Sequence, residues 1–356
     1  MKRHAHTNNK VTPLKEFDYA NEKDRPKDES KSVVIAFCGL QLSQRALLIL
    51  TIVIIFITVP TLLYLTRVFS TLCFSYAASL KYNIPVDRLD IVETVTSKRL
   101  FEYYKRYGIP LKITHGMKGY PAVGKWSPEW FAQKFGPESI TVAFGNTEQR
   151  RTVLEDTTVR QFVDFFKTVN DSSTYLPYWS EDGAFLYEND LSEDVLDLPI
   201  LSEYPSVVDV ELYLWFGPMG TVTGAHIDYD PLNVLFQVYG EKRVWMFHPK
   251  YFKNLYPSGK FDPGAILSEV DILKPNYEKH PKFKDAKPIV VDIKAGEQLY
   301  IPSGWFHVAV AKTHSISISG RALTACEVIG YQWVEFKLFL HNLGLYKHKN
   351  CVCHTN

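Results

Sequence analysis

The sequence predicts a mostly β domain with packed helices, a sandwich or barrel, carried behind one transmembrane helix. Three observations predict it. From residue 207 onward short alternating runs follow one another, VVDVELYLWFG, NVLFQVYG, KRVWMFHP, KPIVVDIKAG, EQLYIPS, FHVAVAK and SISISG, with Gly, Pro and Asn between them. That is the texture of half-buried strands closed by turns. Residues 46–66, ALLILTIVIIFITVPTLLYLT, carry no charge, and about 20 apolar residues at about 1.5 Å each cross a hydrocarbon core. The chain also holds 21 Tyr and 22 Phe, types that suit a pleated surface.

Composition sets the outer limits. The 356 residues suffice for a real core. A formal net charge of +1 argues against a nucleic-acid partner, which needs a broad basic surface. Cys38, Cys73, Cys326, Cys351 and Cys353 are odd in number and scattered, so they form no disulfide framework and leave the redox compartment open.

In chain order, residues 1–45 are polar and charge-rich, with KDRPKDES at 23–30, and are expected to be a disordered cytoplasmic tail. Residues 46–68 are expected to be a signal anchor, bracketed by Arg45 and Arg67. Pro60 is tolerated in a membrane helix. A buried core helix or a cleaved signal peptide are the rival readings, but the 45-residue leader exceeds a usual n-region. Nine Lys and Arg precede the span, whereas chiefly Arg67, Lys81 and Arg88 follow it closely. That bias predicts a type II protein whose large domain lies in the lumen of the endoplasmic reticulum or Golgi. The sequon Asn170-Asp171-Ser172 agrees with a lumenal domain.

Residues 69–90 read as a juxtamembrane linker and 91–325 as the globular domain. SKRLFEYYKRY (97–107) has helical periodicity, with Leu100, Tyr103, Tyr104 and Tyr107 on one face. PLKITHG (110–116) and SITVAFG (139–145) read as strands. SPEWFAQKFG (127–136) is a helix with Ser127 as cap and Pro128 at its first position, and TTVRQFVDFFKTV (157–169) is a second. Residues 250–286 form a polar insert that interrupts the strands. Residues 326–356 return to helix and tail. Ile329, Trp333, Phe336 and Leu340 form a stripe suited to core or to a homodimer seam. Cys351-Val352-Cys353-His354 is half a zinc site with no partner pair and is expected to be a flexible tail.

The chemistry concentrates in GAHIDYD (224–230). His226 and Asp228 are two apart, so on a strand they share a face. The best third ligand is His307, in GEQLYIPSGWFHVAV after a Gly- and Pro-containing turn. Two histidines and one carboxylate suit the facial site of non-haem Fe(II) oxygenases, with zinc as the rival metal. An oxygenase that uses 2-oxoglutarate must also neutralise its distal carboxylate. Lys242, at the end of NVLFQVYGEK, and Thr223, three before His226, are the candidates. A buried lysine without an anion is costly. His248 reads as a strand-end residue, His314 as an exposed turn, and His115 and His280 as surface. Trp305 reads as packing beside the metal strand.

The ordered run W-F-G-P-x-G-T-V-T-x-x-H-x-D-x-x-x-x-N-x-x-x-Q-x-x-G-x-K (215–242), then F-H-P (247–249) and G-E-x-L-Y-I-P-x-x-W-x-H (296–307), resembles the JmjC family of 2-oxoglutarate oxygenases. The small cupin-like hydroxylase branch is the nearest in shape, and the resemblance spans about 91–325. It implies a double-stranded β-helix, Fe(II) on His226, Asp228 and His307, and 2-oxoglutarate and dioxygen as co-substrates. It implies that Lys242 and Thr223 hold the distal carboxylate and that Asn233 lines the site. The family's pocket tyrosine falls on AFLYEND (184–190), as Tyr187 in a shifted register or with Phe185 in its place. Its small polar residue on the last core strand falls on SISISGR, as Ser319 or as Arg321. The implied activity is hydroxylation of a protein side chain, with a small molecule or lipid as other substrates. A catalytically inactive cupin that binds a partner at the membrane is the rival function, and a zinc hydrolase is a third.

Overall fold

The strand runs fold into two facing sheets. The computed structural model describes residues 35–37, 40–42, 88–146, 151–170, 176–347 and 350–351. The expected anchor at 46–68 lies outside them, as does most of the expected tail. No helix among the described residues is long and apolar enough to cross a membrane. Within the first 64 residues, β1 (Ile35–Phe37) and β2 (Leu40–Leu42) pair antiparallel.

In the larger unit the strands are β3 (Asp90–Val92), β4 (Leu111–Ile113), β5 (Ser139–Asn146), β6 (Arg151–Thr158), β7 (Pro177–Glu181) and β8 (Val207–Gly217). They continue as β9 (Val222–Asp228), β10 (Leu232–Tyr239), β11 (Glu241–Phe247), β12 (Ala265–Leu267) and β13 (Pro288–Lys294), then β14 (Gln298–Pro302), β15 (Phe306–Ala311) and β16 (Ser315–Thr324). One sheet of nine strands runs β3-β4-β14-β10-β16-β8-β7-β5-β6, and a second of five runs β12-β9-β15-β11-β13. From β8 to β11 and again from β14 to β16 the chain alternates between sheets at every turn, the winding of a cupin jelly roll. The turns make this possible. Gly240, between β10 and β11, has φ +74, and a Cβ there would collide with the His314 carbonyl; only glycine fits.

The outer face of the large sheet is covered by helices. Pro128–Phe135 is capped by Ser127, whose hydroxyl accepts from Trp130 N, and Val159–Phe165 opens with a Thr158–Gln161 capping box. Phe131, Phe135, Phe162 and Phe166 from these segments join Leu212, Leu214 and Phe216 of β8, Val234 and Phe236 of β10, and Ile316 and Ile318 of β16 in one buried cluster. Each buried phenylalanine contributes about 1.5–3 kcal/mol.

Several expectations are corrected. The helix near 100 starts at Ser97 but widens to π winding over Leu100–Lys105. That brings Phe101 inside with Leu100 and Tyr104, while Tyr107 is 40% exposed. The 250–286 insert does not merely interrupt the sheet, because it supplies β12, which pairs with β9 at His226 and Asp228. The long C-terminal helix is Ala325–Asn342, but Trp333 (60%) and Phe336 (44%) are exposed, so this part of the stripe is not core. Cys351, expected in a flexible tail, is buried and bridges to Phe261.

Candidate metal centre

His226 and His307 sit directly opposite each other where β9 pairs antiparallel with β15. Asp228, two residues on, points to the same side. The three offer one ligand atom each, all within 4.8 Å of one another. His226 Nε2 is 3.3 Å from Asp228 Oδ1, and His307 Nε2 is 3.5 Å from Asp228 Oδ2. His226 Nδ1 bonds the Gly224 carbonyl at 2.6 Å and His307 Nδ1 the Trp305 carbonyl at 3.2 Å. With both Nδ1–H groups donating, the Nε2 lone pairs are assigned toward the carboxylate. Burial, with His226 adding to it, lowers His307 to about 4, which keeps it neutral and able to ligate at pH 7.

Burial alone would raise the Asp228 carboxyl. His226 and then His307, in their protonated forms, and the Arg321 guanidinium outweigh it and hold Asp228 well below the usual carboxylate range. Asn233 Nδ2 donates to Asp228 Oδ2 at 2.7 Å, and Arg321 Nη2 to Oδ1 at 3.3 Å. The acid is therefore ionised and fixed.

The other end of the pocket holds a buried lysine. Lys242, 3% exposed, comes from β11 in the same small sheet. Its Nζ lies 3.4 Å from Tyr178 Oη, which is 3.1 Å from Thr223 Oγ1. Among the described residues no charged partner offsets the burial of Lys242, which lowers it to about 7. Burial likewise pushes the Tyr178 hydroxyl above its usual range. Thr223 and His226 are three apart and would face opposite ways on a regular strand. A register shift between β9 and β15 gives β9 one extra residue and returns both to the pocket.

The pocket brings together Thr223, His226, Asp228, Asn233, Lys242, His307 and Ser319, all singled out from the sequence. Ser319 Oγ accepts from Trp215 Nε1 at 2.9 Å. Arg321, the alternative to Ser319, also lines the pocket. Tyr187 does not reach it: it lies on the helix Ala184–Glu188 and is 48% exposed. Phe185 does not either, because it packs on Trp179 and Phe135 in the helix-side core. The tyrosine that meets Lys242 and Thr223 is Tyr178, which nothing in the local pattern marked. Asp230 was also missed, although the period-2 spacing of H-I-D-Y-D carries it to the Arg321 guanidinium, 2.8 Å from Nη1. His248 caps the turn after β11 by accepting from Lys250 N, and His314 accepts from Met219 N. His280, expected at the surface, is 4% exposed beside the Tyr256 ring. Trp305 is buried in an inner cluster with Val244, Met246 and Leu299, as expected.

Two imidazole nitrogens and an ionised carboxylate, converging in a buried pocket, suit a divalent first-row metal. A buried ammonium without a counter-ion suits an anionic ligand beside it. The family model described as a cupin-like domain matches residues 97–321. The chain is similar to the JmjC domain-containing protein D of Dictyostelium discoideum, 29% identical over 60% of this chain and 52% of that protein. It is similar to lysine-specific demethylase 8 of Xenopus tropicalis, 30% identical over 59% of this chain and 47% of that protein. It is similar to tRNA wybutosine-synthesizing protein 5 of Gallus gallus, 27% identical over 66% of this chain and 77% of that protein. The chain thus spans about half the length of the first two.

Proposed function

This chain belongs to the cupin-like, JmjC-type domains, a family of 2-oxoglutarate- and Fe(II)-dependent oxygenase type, and on that premise we propose a membrane-anchored dioxygenase that hydroxylates a protein side chain. One observation carries the reading: a His-Asp-His cluster and an unneutralised buried lysine line the same pocket. In this reading His226, Asp228 and His307 hold Fe(II). Lys242, Tyr178 and Thr223 receive the distal carboxylate of 2-oxoglutarate, and Asn233 and Arg321 orient Asp228. Bound Fe(II) supplies the activation of dioxygen, one oxygen atom ending in succinate, as 2-oxoglutarate loses carbon dioxide, and the other in the substrate's C–H bond. The side chains bind, orient and exclude water, and no general base is required.

Relatives named for lysine demethylation and for tRNA wybutosine synthesis set the competing substrates. The formal net charge of +1 and the apolar run at 46–66 favour a membrane or secretory protein over a histone or an RNA. The same run supports anchoring in the bilayer, and the nine Lys and Arg before it support a lumenal domain. The exposed Trp333 and Phe336 support pairing of two copies through the C-terminal helix.

The test uses the full chain in detergent. Succinate is expected to form from 2-oxoglutarate only with Fe(II), and His226→Ala is expected to abolish it. Mass spectrometry of membrane and secretory proteins, with and without active enzyme, is expected to find a shift of about 16 Da, one added oxygen. Unchanged succinate in His226→Ala, or zinc as the metal of anaerobically purified protein with no succinate formed, overturns the reading. Bound 2-oxoglutarate that is never consumed points to an inactive binding module.

A further inference from the structure

Arg321 is the one cation on the inner face of a strand whose other inward residues include Ser315, Ser317 and Ser319. Its side chain is 11% exposed. A buried guanidinium needs anions, and it has two. Nη2 lies 3.3 Å from Asp228 Oδ1 and Nη1 lies 2.8 Å from Asp230 Oδ2. The Tyr213 ring supports it from one side, 3.9 Å from the guanidinium carbon, and Tyr213 Oη donates onward to Glu211 at 3.1 Å. Asn233, the register partner of Arg321 across β10 and β16, donates to the other oxygen of Asp228 at 2.7 Å. A directly opposed pair on neighbouring strands therefore grips both oxygens of one carboxylate. Half of the Arg321 fork is spent on that carboxylate and half on Asp230, 4% exposed.

We propose that Arg321 and Asp230 form a positioning pair that sets the donor strength of Asp228 toward the metal. The inference rests on the metal reading above. Arg321 carries a full positive charge within hydrogen-bond reach of a ligand carboxylate and draws off part of its negative charge. Asp230 pulls the same guanidinium the other way. Solvent ions screen both effects only weakly in a buried site. Without Arg321, two carboxylates face the cation. Without the Asp230 charge, the whole of Arg321 bears on Asp228. The two losses push metal affinity in opposite directions, a signature that a packing role does not give.

The experiment uses the full chain in detergent, with Mn(II) as the probe and no turnover required. Free Mn(II) is followed by electron paramagnetic resonance. Arg321→Gln is expected to tighten Mn(II) binding about tenfold and Asp230→Asn to weaken it about tenfold, the scale on which groups behind a ligand act. The double variant is expected to return close to the parent. Affinities that move in the same direction, or not at all, in variants that circular dichroism shows folded, overturn the proposal. Should Arg321→Gln not fold, the nearly isosteric Asp230→Asn still decides, since unchanged or tighter binding there contradicts it. A parent chain that binds no Mn(II) brings down the metal reading and this inference together, an outcome plainly different from variants that fail to diverge.

Discussion

On β16, Ile316, Ile318 and Ala322 face the helices, while Ser315, Ser317, Ser319 and Arg321 face the small sheet. β10 repeats the division, with Leu232, Val234, Phe236 and Val238 on the helix side and Asn233, Leu235 and Gln237 within. Period-2 geometry lets one strand wall a dry core and floor a reactive pocket at once. The two faces differ in how far their bonding is complete. On the inner face Asn233 Oδ1, Gln237 Oε1, Ser317 Oγ and Arg321 Nε lack a hydrogen-bond partner among the described residues. Such groups cost stability unless water or a ligand meets them. Stability should therefore live mainly on the helix side and chemistry on the inner side, and each is separately breakable.

The largest effect is expected on the helix side. Phe216 is fully buried, its ring 5.1–5.6 Å from those of Phe131, Phe162 and Phe166. Phe216→Ala should cost about 3–5 kcal/mol in chemical denaturation, while the molecules still folded keep parent-like Mn(II) affinity. A comparable loss of metal binding in the folded fraction would blur the division between faces. Lys242→Met is the converse. It should weaken 2-oxoglutarate binding by about a hundredfold, the upper range for a hydrogen bond to a charged group. It should leave stability equal or higher, because an unpaired buried ammonium is replaced by a hydrophobe. If Lys242→Met unfolds the chain instead, the lysine serves the fold and the anion site is misassigned.

The same division explains what the sequence made legible. His226, Asp228 and Lys242 stood out because charged or ligating side chains interrupt otherwise apolar strand runs, and Thr223 and His307 because of their places beside those runs. The alternation that marks a strand also tells which residues share a side. Tyr178 was not legible. It reaches the site from β7, 45 residues before Thr223, and a tyrosine after a proline has no periodic signature of its own. Tyr187 misled because the helix Ala184–Glu188 turns it to solvent. The stripe Trp333–Phe336 showed the limit of helical periodicity, which finds an apolar face but not what covers it. The jelly-roll winding came from the ordered motifs rather than from alternation, which cannot say which sheet a strand joins.

Tyr178→Phe tests the missed residue. Removing one hydroxyl that lies between Lys242 and Thr223 should lower 2-oxoglutarate affinity about tenfold, with little change in denaturation midpoint, since the ring still packs near Trp215. Unchanged affinity would return the tyrosine role to an ordinary wall residue.

The smallest signal is the most specific to the inner face. Burial lowers Lys242 from 10.5 to about 7, so at pH 8 it is mostly neutral while the pocket is empty of anions. A bound carboxylate favours the charged form and raises that value. Binding of 2-oxoglutarate at pH 8 should then take up close to one proton per site, read as the dependence of calorimetric heat on the ionisation enthalpy of the buffer. The sign is fixed by linkage. Between about pH 7 and 10.5 the unfolded chain binds more protons at this lysine than the ligand-free fold does, so the stability of the free protein rises with pH in that window. Affinity for the dicarboxylate falls over the same range, because each binding event must draw its proton from a scarcer supply. Lys242→Met should show no uptake from this site. Uptake absent in the parent would mean an ammonium already charged without an anion, and the argument that this end of the pocket is built for a carboxylate would lose its footing.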